Sequence, residues 1–212
     1  MNILTGANLF VLLPIAAVSV IVLALIIEKS IYFYKIRIPG TIDYKNIIKK
    51  YRKIPHNDFV ELLVSEKTPV NILLKKAVSI NLNYPPQVFR SQLESLSERL
   101  TGRMERYLAL LNGLANIATL MGLFGTVSGM IKAFSRMNET GNSDPYILAG
   151  GISQALVTTA AGLAVAIPAM LALNFFDSFI DHHNEIMDEA ISETAMVFEV
   201  LYERKKEKKI PG

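Results

Sequence analysis

Hydrophobic positions in this chain gather into three long runs, separated by stretches of very different polarity. Leu9–Ile27 spans 19 mostly apolar residues and stops sharply at Glu28-Lys29. Leu108–Phe134 and Ala155–Phe176 form the second and third runs, and the only charged residue in either is Lys132. A membrane-crossing helix needs about 20 predominantly apolar residues, so each run is long enough to span. A cleaved signal would put basic residues before its apolar core and small residues after it. Here the basic residues follow the run, and Ile31-Tyr32-Phe33-Tyr34 comes next. The pattern predicts an anchor that stays in the bilayer, with Tyr32 and Tyr34 at its interface.

The polar stretches also carry helix signals. Prolines at 39, 55, 69, 85 and 86 cut residues 28–107 into short pieces. Thr41 can cap a helix to about Lys53, and Asn57 one over 58–65. Thr68-Pro69 puts a cap before a proline at the first helical position, opening a helix to about Leu82. From Pro86, the apolar positions Phe89, Leu93, Leu96, Leu100, Met104, Tyr107 and Leu111 follow a helical face. With no proline before the membrane, this helix is expected to run unbroken to about Met137. Asn138 and Gly141 mark its end, and residues 135–151 read as a turn. The third apolar helix continues into a polar tail, 177–212, with nine acids from Asp177 to Glu207 and a basic end at Arg204–Lys209.

Charge placement sets the expected topology. Residues 28–107 hold 15 of the 22 Lys and Arg, and 177–212 hold five more. The positive-inside rule therefore places both segments in the cytoplasm. The N-terminus (1–8) and the 135–151 loop fall outside, and 9–27, 108–134 and 152–176 are the spans. The expected fold is an all-α membrane protein with three transmembrane helices. Two of these extend far into the cytoplasm, beside a small helical insert.

Composition agrees with this reading: 51% hydrophobic, 19% charged, and a positive mean hydropathy of +0.32. There is no cysteine, and His56, His182 and His183 lack zinc-ligand spacing. Without a nucleophile–base pair or a phosphate-binding loop, an enzyme has little support. No catalytic residue, metal site, cofactor or nucleic-acid partner is assigned. The acids at 177, 181, 185, 188 and 189 read as a solvated helix face.

The chemistry lies in the texture of the second and third runs. At about 100° per residue, Asn112, Asn116, Thr119 and Thr126 fall on one stripe, beside Gly122, Gly125 and Gly129. The third run has Gln154 and Thr158 one turn apart, Thr159 adjacent, then Ala160, Ala161, Gly162, Ala164, Ala166 and Pro168. Small residues let helices approach closely in lipid, which alone can explain the glycines. Hydroxyls at membrane depth either bond to their own backbone or line a polar path. Proton relays within membranes use Asp, Glu or His, and neither run contains one. A proton path here needs its carboxylate from another chain.

Residues Ala118–Val127 (A-T-L-M-G-L-F-G-T-V) and Gly151–Pro168 (G-I-S-Q-A-L-V-T-T-A-A-G-L-A-V-A-I-P) closely resemble the MotA/TolQ/ExbB proton-channel family, most of all its ExbB/TolQ branch. The resemblance covers nearly the whole chain. It implies a homo-oligomeric ring, commonly of five subunits, in the bacterial inner membrane, with a periplasmic N-terminus and a cytoplasmic C-terminus. It also implies a single-span ExbD/TolR-like partner carrying a membrane aspartate, and a TonB/TolA-like transducer. On this pattern Thr126 and Thr159 flank the partner's aspartate, with Thr158 as a further candidate. Position 154 is usually Glu in that branch, and Gln154 here removes a titratable group. Protons are the expected cargo, with sodium as the alternative. A structural scaffold without ion conduction is the competing reading. The MotA branch fits less well, because it has four spans.

Overall fold

The computed structural model describes residues 9–36, 68–80, 83–140 and 145–207. The expected helices starting at Thr41 and Asn57 lie outside them. The described residues form five helices and no strand: α1 (Leu9–Ile36), α2 (Pro69–Ser79), α3 (Pro86–Glu105), α4 (Leu108–Thr140) and α5 (Pro145–Glu207). Three of the helical stretches are long and apolar enough to cross a membrane.

Local chemistry explains most of the boundaries. The Thr68 hydroxyl accepts from the Asn71 amide at 3.3 Å, and Pro69 occupies the first turn of α2, where its missing N–H costs nothing. α2 ends at Ser79, three residues before the expected Leu82. Pro86 opens α3, and the Pro85 carbonyl accepts from the amides of Val88 and Phe89.

Two expectations need correction. The helix from Pro86 is not continuous. It breaks at Arg106-Tyr107, where Tyr107 adopts a left-handed φ of 70°. The Tyr107 carbonyl then accepts from the Leu111 amide at 2.9 Å and starts α4. The polar turn expected over 135–151 is also far shorter, because α4 runs to Thr140 and α5 begins at Pro145. Proline at a first helical position is favourable, so a residue read as a turn former is instead a helix start.

The chain divides into two compact units. The first comprises Met1–Ser30 and Tyr107–Phe176, the apolar part. In it, α1 buries a narrow stripe of Val11, Ile15 and Val22. Lys29 is also buried, its Nζ 6.0 Å from the centroid of the Tyr107 ring. Most other large side chains of this unit, among them Phe10, Leu123, Phe124 and Leu171, are exposed, as befits helices that face lipid or other chains.

The second unit comprises Ile31–Arg106 and Asp177–Gly212. It has an ordinary core. Phe89 of α3 stacks on Phe198 of α5 with ring centroids 4.1 Å apart. Leu93, Leu100 and Met104 follow along the same face of α3, and α2 packs against α3 through a face that includes Leu73 and Leu74. Thr101 Oγ1 donates to Asn184 Oδ1 at 2.6 Å, which fixes the register of α3 against α5.

Candidate functional site

The predicted site residues all lie in α4 and α5, within the apolar unit. The two helices run antiparallel and meet along a seam of small residues. On α4 the seam is Ala118, Gly122, Gly125, Gly129 and Ala133; on α5 it is Gly151, Ala155, Thr158 and Gly162. The steps are of three or four residues, which keeps one face of each helix turned toward the other. The closest approach to facing backbone is at Gly162. A Cβ there would lie 2.5 Å from the Ala118 carbonyl oxygen and 3.0 Å from Gly122 Cα. At Gly125 a Cβ would overlap the Thr158 hydroxyl and come within 2.6 Å of its Cβ. The seam extends through Ala115 and Leu111 on α4, and Ala166, Ala169 and Leu173 on α5, all buried.

The threonines sit in and beside this seam. Thr159 Oγ1 donates to the Gly122 carbonyl of α4 at 2.9 Å, a direct polar bond between the helices. Thr126 Oγ1 donates to the Leu123 carbonyl at 2.7 Å. The two hydroxyls therefore bond to carbonyls of consecutive residues, which brings Thr126 and Thr159 to the same part of the pair. Thr119 lies seven residues before Thr126, about 20° away around the helix, and donates to the Ala115 carbonyl at 3.2 Å. Thr158 is 1% exposed and donates to the Ala155 carbonyl at 2.7 Å. It fills the notch left by Gly125.

Gln154 is half-buried, one turn from Thr158. It lies five positions from Thr159, about 140° around the helix, so the structure does not bring these two together. Asn116 is exposed and donates to Asn112 Oδ1 at 3.4 Å. Pro168 is exposed within an uninterrupted α5, where its missing N–H leaves the Ala164 carbonyl without its usual helical donor.

This arrangement has a definite chemical character. A hydroxyl has one proton and two lone pairs. Thr119, Thr126, Thr158 and Thr159 each donate to a backbone carbonyl. What remains is acceptor capacity, suited to a proton donor or a cation. No Asp, Glu, His, Lys or Arg occurs from Leu108 to Ile131 or from Pro145 to Phe176. Among the described residues no cluster of three His, Cys, Asp or Glu could hold a metal ion.

Sequence reasoning overlooked part of the seam. Ala133, Gly151 and Ala155 have no distinguishing chemistry, but their regular spacing with the glycines was a usable signal. His183, buried in the polar unit, was dismissed for lacking metal-ligand spacing.

Three apolar helices and a close-packed polar seam define a multi-pass membrane protein built for helix association. The profile of the MotA/TolQ/ExbB proton channel family matches residues 65–189, and the chain belongs to that family. It is similar to the ExbB-like 3 protein of Synechocystis sp., 28% identical over 200 residues that cover 93% of this chain and 95% of the relative. It is also similar to the biopolymer transport protein ExbB of Neisseria meningitidis, 30% identical over 75% of this chain and 77% of that protein. A second Synechocystis protein, ExbB-like 1, is 35% identical over 58% of this chain and 51% of its own length. These relatives place the chain on the ExbB-like branch.

Proposed function

We propose that this chain is the ring-forming stator and channel subunit of an inner-membrane motor driven by an ion gradient. The observation that carries the reading is a polar seam with no titrating side chain, in a member of a proton channel family. The ring, of about five copies, surrounds a single-span ExbD/TolR-like partner whose membrane aspartate carries the charge. Thr126 and Thr159 accept from that carboxyl in its protonated state, because their own protons are committed to Leu123 and Gly122. The cargo is the proton, and a TonB/TolA-like transducer passes the motion to an envelope process such as outer-membrane transport. The N-terminus is periplasmic, and the polar unit with the C-terminus is cytoplasmic. The name "biopolymer transport protein" borne by a relative supports this output.

Ion flux in proteoliposomes tests the reading. Three preparations are compared: the chain alone, the chain with its partner, and the chain with a partner whose aspartate is changed to Asn. Flux is expected only with the intact partner, and Thr126→Val or Thr159→Val should abolish it while the complex stays assembled. Flux from this chain alone would overturn the borrowed carboxylate. A sodium dependence would replace the proton as cargo.

A further inference from the structure

α3, in the polar unit, carries its charges in separate stripes. Glu94, Glu98 and Glu105 fall within about 40° of one another around the helix, and Arg99 and Arg103 lie roughly 140° further round. The buried face of Phe89, Leu93, Leu100 and Met104 makes the third side. Opposite charges three or four residues apart pair along a helix, and like charges at that spacing repel. Here the spacing joins like to like, Glu94 to Glu98 and Arg99 to Arg103. Glu94 has a partner in Arg90 at 2.8 Å. Glu98, Glu105, Arg99 and Arg103 are exposed and form no ion pair among the described residues. Arg103 is near enough to Tyr32 of α1 for its charge to act on the phenol, which sets the basic stripe on the α1 side.

The acidic stripe forms one wall of a groove between α3 and α5, and Asp188 of α5 adds a further carboxylate from the other wall. The groove holds about 510 Å³. A water's share of liquid volume is about 30 Å³, so there is room for whole side chains. Its hydroxyls have only acceptor capacity left. Ser97 is 8% exposed, and its proton goes to Met187 Sδ at 3.9 Å. Both lone pairs of that buried oxygen are without a donor among the described residues. Thr101 Oγ1 donates its proton to Asn184 Oδ1. Carboxylates around hydroxyl acceptors suit a cation rich in N–H groups. A guanidinium offers five in one plane, in a fork that matches a carboxylate. A metal ion fits poorly, since among the described residues no group of three acids could hold one.

We propose that Arg99 and Arg103 of a neighbouring copy of this chain occupy the groove, so that the acidic side of each α3 meets the basic side of the next. This rests on the ring stated above and names the charges by which its polar units join. Copies inserted in one membrane share direction and height. Arg99 and Arg103 lie between Glu98 and Glu105 along α3, so the two stripes meet at one level with no shift between copies. The basic stripe is on the α1 side and the groove on the α5 side. Each copy therefore gives one contact and receives the other, the head-to-tail arrangement that closes into rings. The like-charge spacing within each stripe is then compensated between chains.

The chain has no cysteine, so cross-linking tests the contact directly. Full-length Glu98→Cys and Arg103→Cys chains, with different tags, are expressed together with the single-span partner and treated in membranes with a short bismaleimide. Cross-linked pairs carrying both tags are expected, and neither variant alone should give pairs. Native mass of the same complexes reports the ring separately. An assembled ring without mixed pairs overturns the contact and leaves the ring standing; no oligomer at all overturns both. Pairs from either variant alone, or Glu98→Cys joined to a different protein, also overturn the contact. Charge reversal gives a second readout. Glu98→Lys or Arg103→Glu alone sets like charges together across copies, and should lower the denaturant midpoint for dissociation of the ring. Both changes in one chain should restore most of that shift, and a double variant no better than the singles would overturn the proposal.

Discussion

Replacing Gly162 with alanine is a direct test of the close-packed seam. The added Cβ would lie 2.5 Å from the Ala118 oxygen, 3.0 Å from Gly122 Cα and 3.2 Å from Gly122 N. All three are backbone atoms, so no rotamer change relieves the contact. A carbon–oxygen contact settles at about 3.3–3.6 Å, so α4 and α5 must part by roughly 1 Å. The Thr159–Gly122 bond, now 2.9 Å, is then lost. Overpacking costs about 1–3 kcal/mol, and a lost interhelical bond in a membrane adds about 0.6 kcal/mol. Alanine's better helix propensity returns about 1 kcal/mol. Gly113→Ala is the matched control, because nothing lies within 4 Å of its new Cβ. Propensity cancels between the two variants, which leaves Gly162→Ala less stable than Gly113→Ala by about 1.6–3.6 kcal/mol. Reversible denaturation in mixed micelles measures that gap. If the two variants agree within about 0.5 kcal/mol, the usual noise of independent sites, the seam is not held by backbone contact and the argument fails.

Two further outcomes follow from the same geometry. Gly125→Ala should destabilise the chain through its overlap with Thr158, and Thr158→Gly in the same chain should recover part of the loss, read as a shift in Tm; no recovery would mean that Thr158 is not the obstacle. At Tyr107 the left-handed backbone disfavours a β-branched residue. Tyr107→Val should therefore be less stable than Tyr107→Asn by about 1–2 kcal/mol, although both lose the ring beside Lys29; equal stability would deny any strain at the break.

The three spans were legible because their length and lack of charge leave little alternative. The starts of α2 and α3 were legible because proline and a capping threonine have local effects. The break at Arg106-Tyr107 was not. Neither residue favours positive φ, and the apolar spacing continues through it from Met104 to Leu111. The start of α5 was written at Pro145, but proline serves turns and first helical positions equally well. At the site, the polar stripe of α4 could be read from spacing alone. The different places of Thr158, in the notch at Gly125, and Thr159, bonded to Gly122, could not, because they depend on which face of α5 meets α4. That face is set by Gly122 and Gly162 approaching each other, a tertiary fact that no single helix reports.

The break at Tyr107 also governs how this chain can tolerate changes in length. In an uninterrupted helix, one residue inserted near Leu96 would rotate everything after it by about 100°, turning the Gly122 face of α4 away from Gly162 of α5. A two-residue interruption resets the count, since α4 takes its start from the Tyr107 carbonyl rather than from the turns of α3. Insertions and deletions upstream are thereby kept from propagating into the span. The polar half of the molecule can then lengthen or shorten while the phase of the threonines is preserved.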